Sequence, residues 1–253
     1  MTVVAVCSAK GSPGVTTVSY LLAATWPSHR PVVLCEADPS GGDLAARFAL
    51  SSTDGYARAV LGVHRGDRDA PQAATTGLPG ALLALTGPPG AAAATAVDQS
   101  AAAVATALFD RMRDWVVDCG RLLAAAPGQR AVLALASSIL VVTASDTAAL
   151  AHLPWALEHL AESAPAAPVA VVARGARRAR TAEIASVLGC EVAGSVPDDH
   201  ATAQWVAGAA RRPRRAPLAA AVRSIATTVA AEGNRDGEAG AAAQADRVPG
   251  SIR

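Results

Sequence analysis

Lysine is almost missing from this chain. Of its 22 basic residues one is a lysine, Lys10, and the rest are arginines. Aromatics are scarce at 3%, and the chain is half apolar and rich in alanine, a composition typical of a high-GC bacterial genome. Charge of one sign is lacking too: the net charge is +1. No global field therefore draws the chain to nucleic acid or to a membrane, and any such contact must be a local patch. The four cysteines, Cys7, Cys35, Cys119 and Cys190, are far apart and form no Cys-x-x-Cys pair. That excludes metal-ligand spacing and reads as buried, reduced thiols of a cytoplasmic protein. The N-terminus has no charged n-region, and its apolar run is too short for a signal peptide. No stretch reaches the roughly 18 uninterrupted apolar residues of a membrane span. Residues 131 to 144 come nearest, and Ser137 and Ser138 break the run.

What is present centres on residues 3 to 22. Val3 to Cys7 is a short β-branched run and reads as a buried strand. Lys10 to Gly14 is a Gly/Pro/Ser loop, and from Thr16 the pattern turns helical through Val18, Leu21 and Leu22. A strand, a small-residue loop and a helix N-terminus make an anion site, because loop N–H groups and the positive end of the helix dipole point at one place.

Strands and helices then alternate. Pro31 to Cys35, Ala81 to Thr86, Trp115 to Gly120, Ile139 to Val142, Val169 to Val172 and Glu191 to Val196 read as strands. Helices are expected at Tyr56 to Val63, Ala91 to Arg113, Thr147 to Glu162 (with Pro154 in its first turns), Thr181 to Leu188, Ala201 to Ala210 and Pro217 to Ala231. The pattern predicts an α/β fold, a mostly parallel sheet flanked by helices on both faces, with right-handed crossovers. Residues 1–231 form the expected domain. Residues 232–253 are Gly/Ala/charged without periodicity and read as a disordered tail.

Two carboxylates close strands. Asp38 follows the second strand in Glu36-Ala37-Asp38-Pro39, in the crevice where such sheets bind ligands, although Asp-Pro is also a common turn signal. Asp118 ends Trp115-Val116-Val117-Asp118, and taken alone it equally suits a helix cap. Arg211-Arg212-Pro213-Arg214-Arg215, with Arg174, Arg177, Arg178 and Arg180, is a local phosphate-binding candidate or a solvated face.

The run Lys10-Gly11-Ser12-Pro13-Gly14-Val15-Thr16-Thr17 resembles the deviant Walker A loop of the ParA/MinD superfamily of P-loop ATPases, Lys-Gly-Gly-x-Gly-Lys-[Ser/Thr]-Thr. The resemblance spans about Thr2 to Ala231 and is most specific in this loop and in the Asp38 segment. It implies that residues 10–17 bind ATP and that Lys10 is the signature lysine, reaching across a dimer to the partner's nucleotide. It implies that Thr16 ligates Mg²⁺, that Asp38 orients the attacking water and touches the Mg²⁺ shell, and that Asp118 is the Walker B carboxylate. Lys10 and Asp38 are thus the catalytic candidates, and Thr16, Asp38 and Asp118 the metal candidates. The loop departs from the pattern where the family lysine holds the β- and γ-phosphates: this chain has Val15. A missing charge-assisted contact weakens binding roughly ten- to a hundredfold, from about 1.5–3 kcal/mol. A lost transition-state donor slows turnover about 10²- to 10³-fold. The family's base-reading Asn is also replaced, by Ala173-Arg174-Gly175.

The implied function is that of a homodimeric ATP-binding spatial regulator. It positions a partner of the pilus or secretion, cell-division or partitioning machinery, with weak or absent hydrolysis. The CpaE/TadZ-like pilus-localisation branch, where degraded loops occur, fits Val15 best. Peripheral contact with the cytoplasmic face of the membrane would come through a partner. Two alternatives stay open: a pseudo-ATPase scaffold that binds a protein without nucleotide, and a nonspecific DNA-binding partition protein using Arg211, Arg212, Arg214 and Arg215.

Overall fold

The computed structural model describes residues 1–11, 13–51 and 54–245, with the side chains of 178–179 and 232–245 outside the description. Its strands are β1 (Val3–Ser8), β2 (Val32–Glu36), β3 (Thr76–Leu78), β4 (Leu82–Leu85), β5 (Asp114–Arg121), β6 (Ser138–Ala144), β7 (Val169–Arg174) and β8 (Glu191–Val196). They form one eight-stranded sheet in the order β3-β4-β2-β5-β1-β6-β7-β8. Every pairing is parallel except the β3–β4 hairpin.

The helices are α1 (Val15–Thr25), α2 (Leu44–Arg47), α3 (Gly55–His64), α4 (Ala70–Ala73), α5 (Ala91–Ala101) and α6 (Ala105–Leu108), then α7 (Pro127–Leu135), α8 (Thr147–Leu150), α9 (Leu153–Ser163), α10 (Arg178–Leu188), α11 (His200–Val206) and α12 (Pro217–Ala245).

The central strands are apolar at nearly every position because both faces are covered. Alternation splits them between two clusters. Val3, Ala5, Cys7, Val33, Cys35, Trp115, Val117 and Cys119 face one way, with Val132 and Leu133 of α7 and Leu153 and Leu160 of α9. Val4, Val6, Leu34 and Val116 face the other, with Val18, Leu21 and Leu22 of α1. Leu218, Val222, Ile225 and Val229 make a helical stripe that seats α12 on this second face. Cys7, Cys35 and Cys119 are buried, Cys190 is half-buried, and all four are free thiols.

Three expectations need correction. The helix expected over 91–113 breaks after Ala101. The chain turns so that Leu108 and Phe109 are buried, and Phe109 meets Trp115 edge-on at 5.2 Å. Packing there overrides alanine's helix propensity. The helix expected over 147–162 is two helices, with Pro154 in the first turn of α9, where its missing N–H costs nothing. The backbone of α12 runs to Ala245, past the expected end at Ala231, in keeping with its alanine content. Residues 246–253 lie outside the described residues.

Candidate functional site

β1, β5 and β2 are neighbours at the centre of the sheet, and their C-terminal ends converge. Register sets Asp118 of β5 beside Val6 of β1 and beside Glu36 of β2. The loop after β1 then climbs to α1. Gly11 has φ +69° and Gly14 φ +101°, a left-handed backbone that suits glycine. No side chain caps α1 and no acidic residue occupies its first turn, so its N–H groups stay open to an anion. Ser12 lies outside the described residues.

Gly11, Gly14, Thr16, Thr17 and Asp38 share one cleft of about 670 Å³. Arg47, Gly120 and Arg121 also line it. Val15 borders the cleft but is 6% exposed and belongs to the apolar cluster of Val4, Val6 and Leu21. The position where the family loop carries its lysine is therefore turned to packing. Lys10 is exposed and is not part of the cleft lining.

Asp118 is 1% exposed. Its Oδ1 accepts from the Gly120 N–H at 3.0 Å, while Oδ2 is buried without a hydrogen-bond partner. Burial pushes this carboxyl up to about 7, and the negative charges of Glu36 and Asp38 add to the effect. The Thr16 hydroxyl and the Gly120 N–H beside it pull the other way. A buried, unsatisfied oxygen next to a hydroxyl is a donor set that suits Mg²⁺, which keeps several waters and takes few protein ligands. No group of three His, Cys, Asp or Glu side chains placed to hold a metal ion exists among the described residues.

Asp38 is half-buried, and its Oδ1 accepts from the Ser40 N–H at 2.7 Å. Burial raises its pKa. Its carboxylate lies over Gly120, where any Cβ would overlap it, and Gly120 has φ +60°. Two demands thus fall on one glycine.

Sequence reasoning gave Glu36 no task, and the structure supplies one. Glu36 is 1% exposed; Oε1 accepts from the N–H groups of Asp43 (2.6 Å) and Leu44 (3.0 Å), and Oε2 from that of Gly87 (2.9 Å). Burial lifts its pKa against these three N–H groups. It ties the loop after β2 to the loop after β4, which holds the Asp38 turn in place. A buried acid two residues before Asp38 is the signal in the sequence.

A second pocket, of about 270 Å³, opens on the other side of the loop between Pro13, Thr17 and the ends of β7 and β8. Arg174 crosses it, with Nε 3.2 Å from Asp198 and Nη1 donating to the Pro13 carbonyl at 3.4 Å. Ala173-Arg174-Gly175 stands where the family pattern has its base-reading Asn, and here Arg174 ties the loop after β1 to the turn after β8. The Arg211–Arg215 arginines are exposed, and Arg212 sits 5.5 Å from the ring centroid of Trp205.

No protein-family model and no curated protein matches the chain. Solved structures do. A ParA family ATPase from Chlorobium tepidum TLS superposes with TM-score 0.72 at 15% identity, over 89% of this chain and 97% of that one. The cell division ATPase MinD of Pyrococcus furiosus gives 0.70 at 18%, over 89% and 97%. The septum site-determining protein MinD of Pyrococcus horikoshii OT3, complexed with Mg-ADP, gives 0.70 at 16%, over 90% and 95%. The chain has the P-loop NTPase-like fold of the ParA/MinD ATPases.

Proposed function

We propose that this chain is a ParA/MinD-like nucleotide-binding positioning protein that takes ATP with Mg²⁺ in the cleft at the ends of β1, β2 and β5. One observation carries the reading: the glycine loop, the uncapped start of α1 and Thr16 line one cleft, and the carboxyl of Asp118, with its orphaned Oδ2, lies buried behind the Thr16 hydroxyl rather than on the cleft surface. In this reading the loop N–H groups hold the phosphates. Thr16, Asp118 and Asp38 would hold the Mg²⁺ shell, and the ion would supply positive charge to offset that of the phosphates. Asp38 orients water, and Lys10, exposed and outside the lining of its own cleft, reaches a second protomer's nucleotide.

Hydrolysis is weak or absent, because the position of the phosphate-holding lysine is a buried valine. ATP then acts as a ligand that joins two protomers, and the dimer recruits a protein of a pilus, division or partitioning machinery. No helix among the described residues is long and apolar enough to cross a membrane. In this reading any membrane contact comes through that partner. The test compares binding with turnover. A fluorescent ATP analogue with Mg²⁺ is expected to bind, while phosphate release stays about 10²- to 10³-fold below that of a relative with the intact loop. Turnover at the intact relative's rate would overturn the reading.

The burial of Val15 favours a second reading, a scaffold on the same fold that binds its protein partner without nucleotide. Absence of nucleotide binding together with a retained partner would select it. Nonspecific DNA binding through Arg211, Arg212, Arg214 and Arg215 requires retention on DNA that falls steeply with salt.

A further inference from the structure

We propose that Arg121 is the phosphate-holding cation of the cleft, supplying from β5 the charge that Val15 withholds from the loop. The inference rests on the nucleotide reading above.

The strand end is shaped to present this side chain. Between β1 and β5 the register runs from Val6 opposite Asp118 to Ser8 opposite Arg121, so β5 carries one extra residue. Gly120, at φ +60°, turns that bulge. A bulge with a left-handed glycine re-aims the side chain that follows it. Here it sets Arg121 opposite Ser8, the last residue of β1, on the wall of the cleft.

The backbone on both sides is fixed. The Leu122 N–H donates to the Ser8 carbonyl at 2.9 Å. Gln129 of α7, 1% exposed, donates from Nε2 to the carbonyls of Cys119 (2.6 Å) and Arg121 (2.8 Å). Its Oε1 accepts from the Leu123 N–H at 2.9 Å. One buried amide therefore grips three residues around Arg121.

Charge accounting singles out the same residue. The cleft wall carries two cations, Arg47 and Arg121. Arg47 is engaged by Asp43 at 3.1 Å. Arg121 is exposed and pairs with no carboxylate among the described residues. Asp38 and Asp118 leave the site acidic, so a polyphosphate needs a cation beyond Mg²⁺. A guanidinium fork suits this, since it matches two phosphate oxygens at once.

The test measures Mg²⁺-dependent binding of a fluorescent ATP analogue and of the matching AMP analogue to the full chain and to Arg121→Ala and Arg121→Lys. Arg121→Ala is expected to weaken ATP binding roughly ten- to a hundredfold and to leave AMP within about twofold, because the contact is with the outer phosphates. Arg121→Lys keeps the charge and loses less. Equal losses for ATP and AMP, or ATP binding by Arg121→Ala within about twofold of the parent, would overturn the assignment while the nucleotide reading stands. Failure of the parent chain to bind ATP at millimolar concentration would instead remove that reading.

Discussion

Replacing Asp118 by Asn makes a sharp demand on the site. The carboxyl is buried beside two other acids and is pushed up from 3.8 to about 7 in the folded chain. Between about pH 4 and 7 the folded state therefore holds a proton that the unfolded state releases, so stability falls as pH rises through that window. Above pH 7 the full penalty is present, about 4 kcal/mol for a displacement of this size. Below pH 4 both states are protonated and the penalty vanishes. Asparagine keeps an oxygen for the Gly120 N–H and carries no charge. Asp118→Asn is expected to melt roughly 10 °C above the parent at pH 8, with little difference at pH 4. Thermal unfolding across pH 4 to 8 in EDTA is the assay. Added Mg²⁺ should stabilise the parent at pH 8 and leave the variant unmoved. An equal shift at both ends of the pH range, or a variant less stable at pH 8, would refute a strained, metal-seeking carboxyl at the end of β5.

Three more outcomes bear on the same architecture. Gly120→Ala is expected to cost about 1–2 kcal/mol from its left-handed backbone alone, and to weaken Mg²⁺-dependent nucleotide binding by pushing Asp38 aside; denaturant unfolding and a binding titration read the two effects. Glu36→Gln leaves one of three N–H groups facing an amide NH₂ and should cost about 1–3 kcal/mol in urea unfolding, with a loss below about 0.5 kcal/mol arguing against its role in joining the two loops. Trp115→Ala removes a fully buried ring whose Nε1 donates to the Asp110 carbonyl at 3.2 Å; about 3–5 kcal/mol is expected from chemical denaturation.

The sheet was legible because its central strands are short β-branched runs buried on both faces, bounded by glycine, proline and acidic turns. β3 was not: Thr76-Gly77-Leu78 is three residues with a central glycine, and only its pairing with β4 makes it a strand. The breaks in the 91–113 and 147–162 helices depend on what Phe109 and Leu153 bury, which local propensity does not encode. At the site, Gly11, Gly14, Thr16, Thr17 and Asp38 were named by the resemblance to the family loop and the Asp38 segment, and in the structure these five line one cleft. The exposure of Lys10 and the burial of Val15 follow from how α1 sits on the sheet. The tasks of Glu36, Gly120 and Arg121 arise from contacts across strands remote in the chain. Asp-Cys-Gly-Arg shows its glycine and its charge in the sequence, but the bulge that aims Arg121 exists only once β5 lies against β1.

In the function proposed above, nucleotide occupies this cleft and joins two copies of the chain. Calorimetric titration with ATP and Mg²⁺, with mass measured by light scattering in the free and bound states, tests it on the parent and on Lys10→Ala. Binding heat and a doubled mass are expected for the parent, with the doubling lost in Lys10→Ala. No heat at millimolar ATP and an unchanged mass would contradict that function and leave a scaffold whose partner binds elsewhere on the fold.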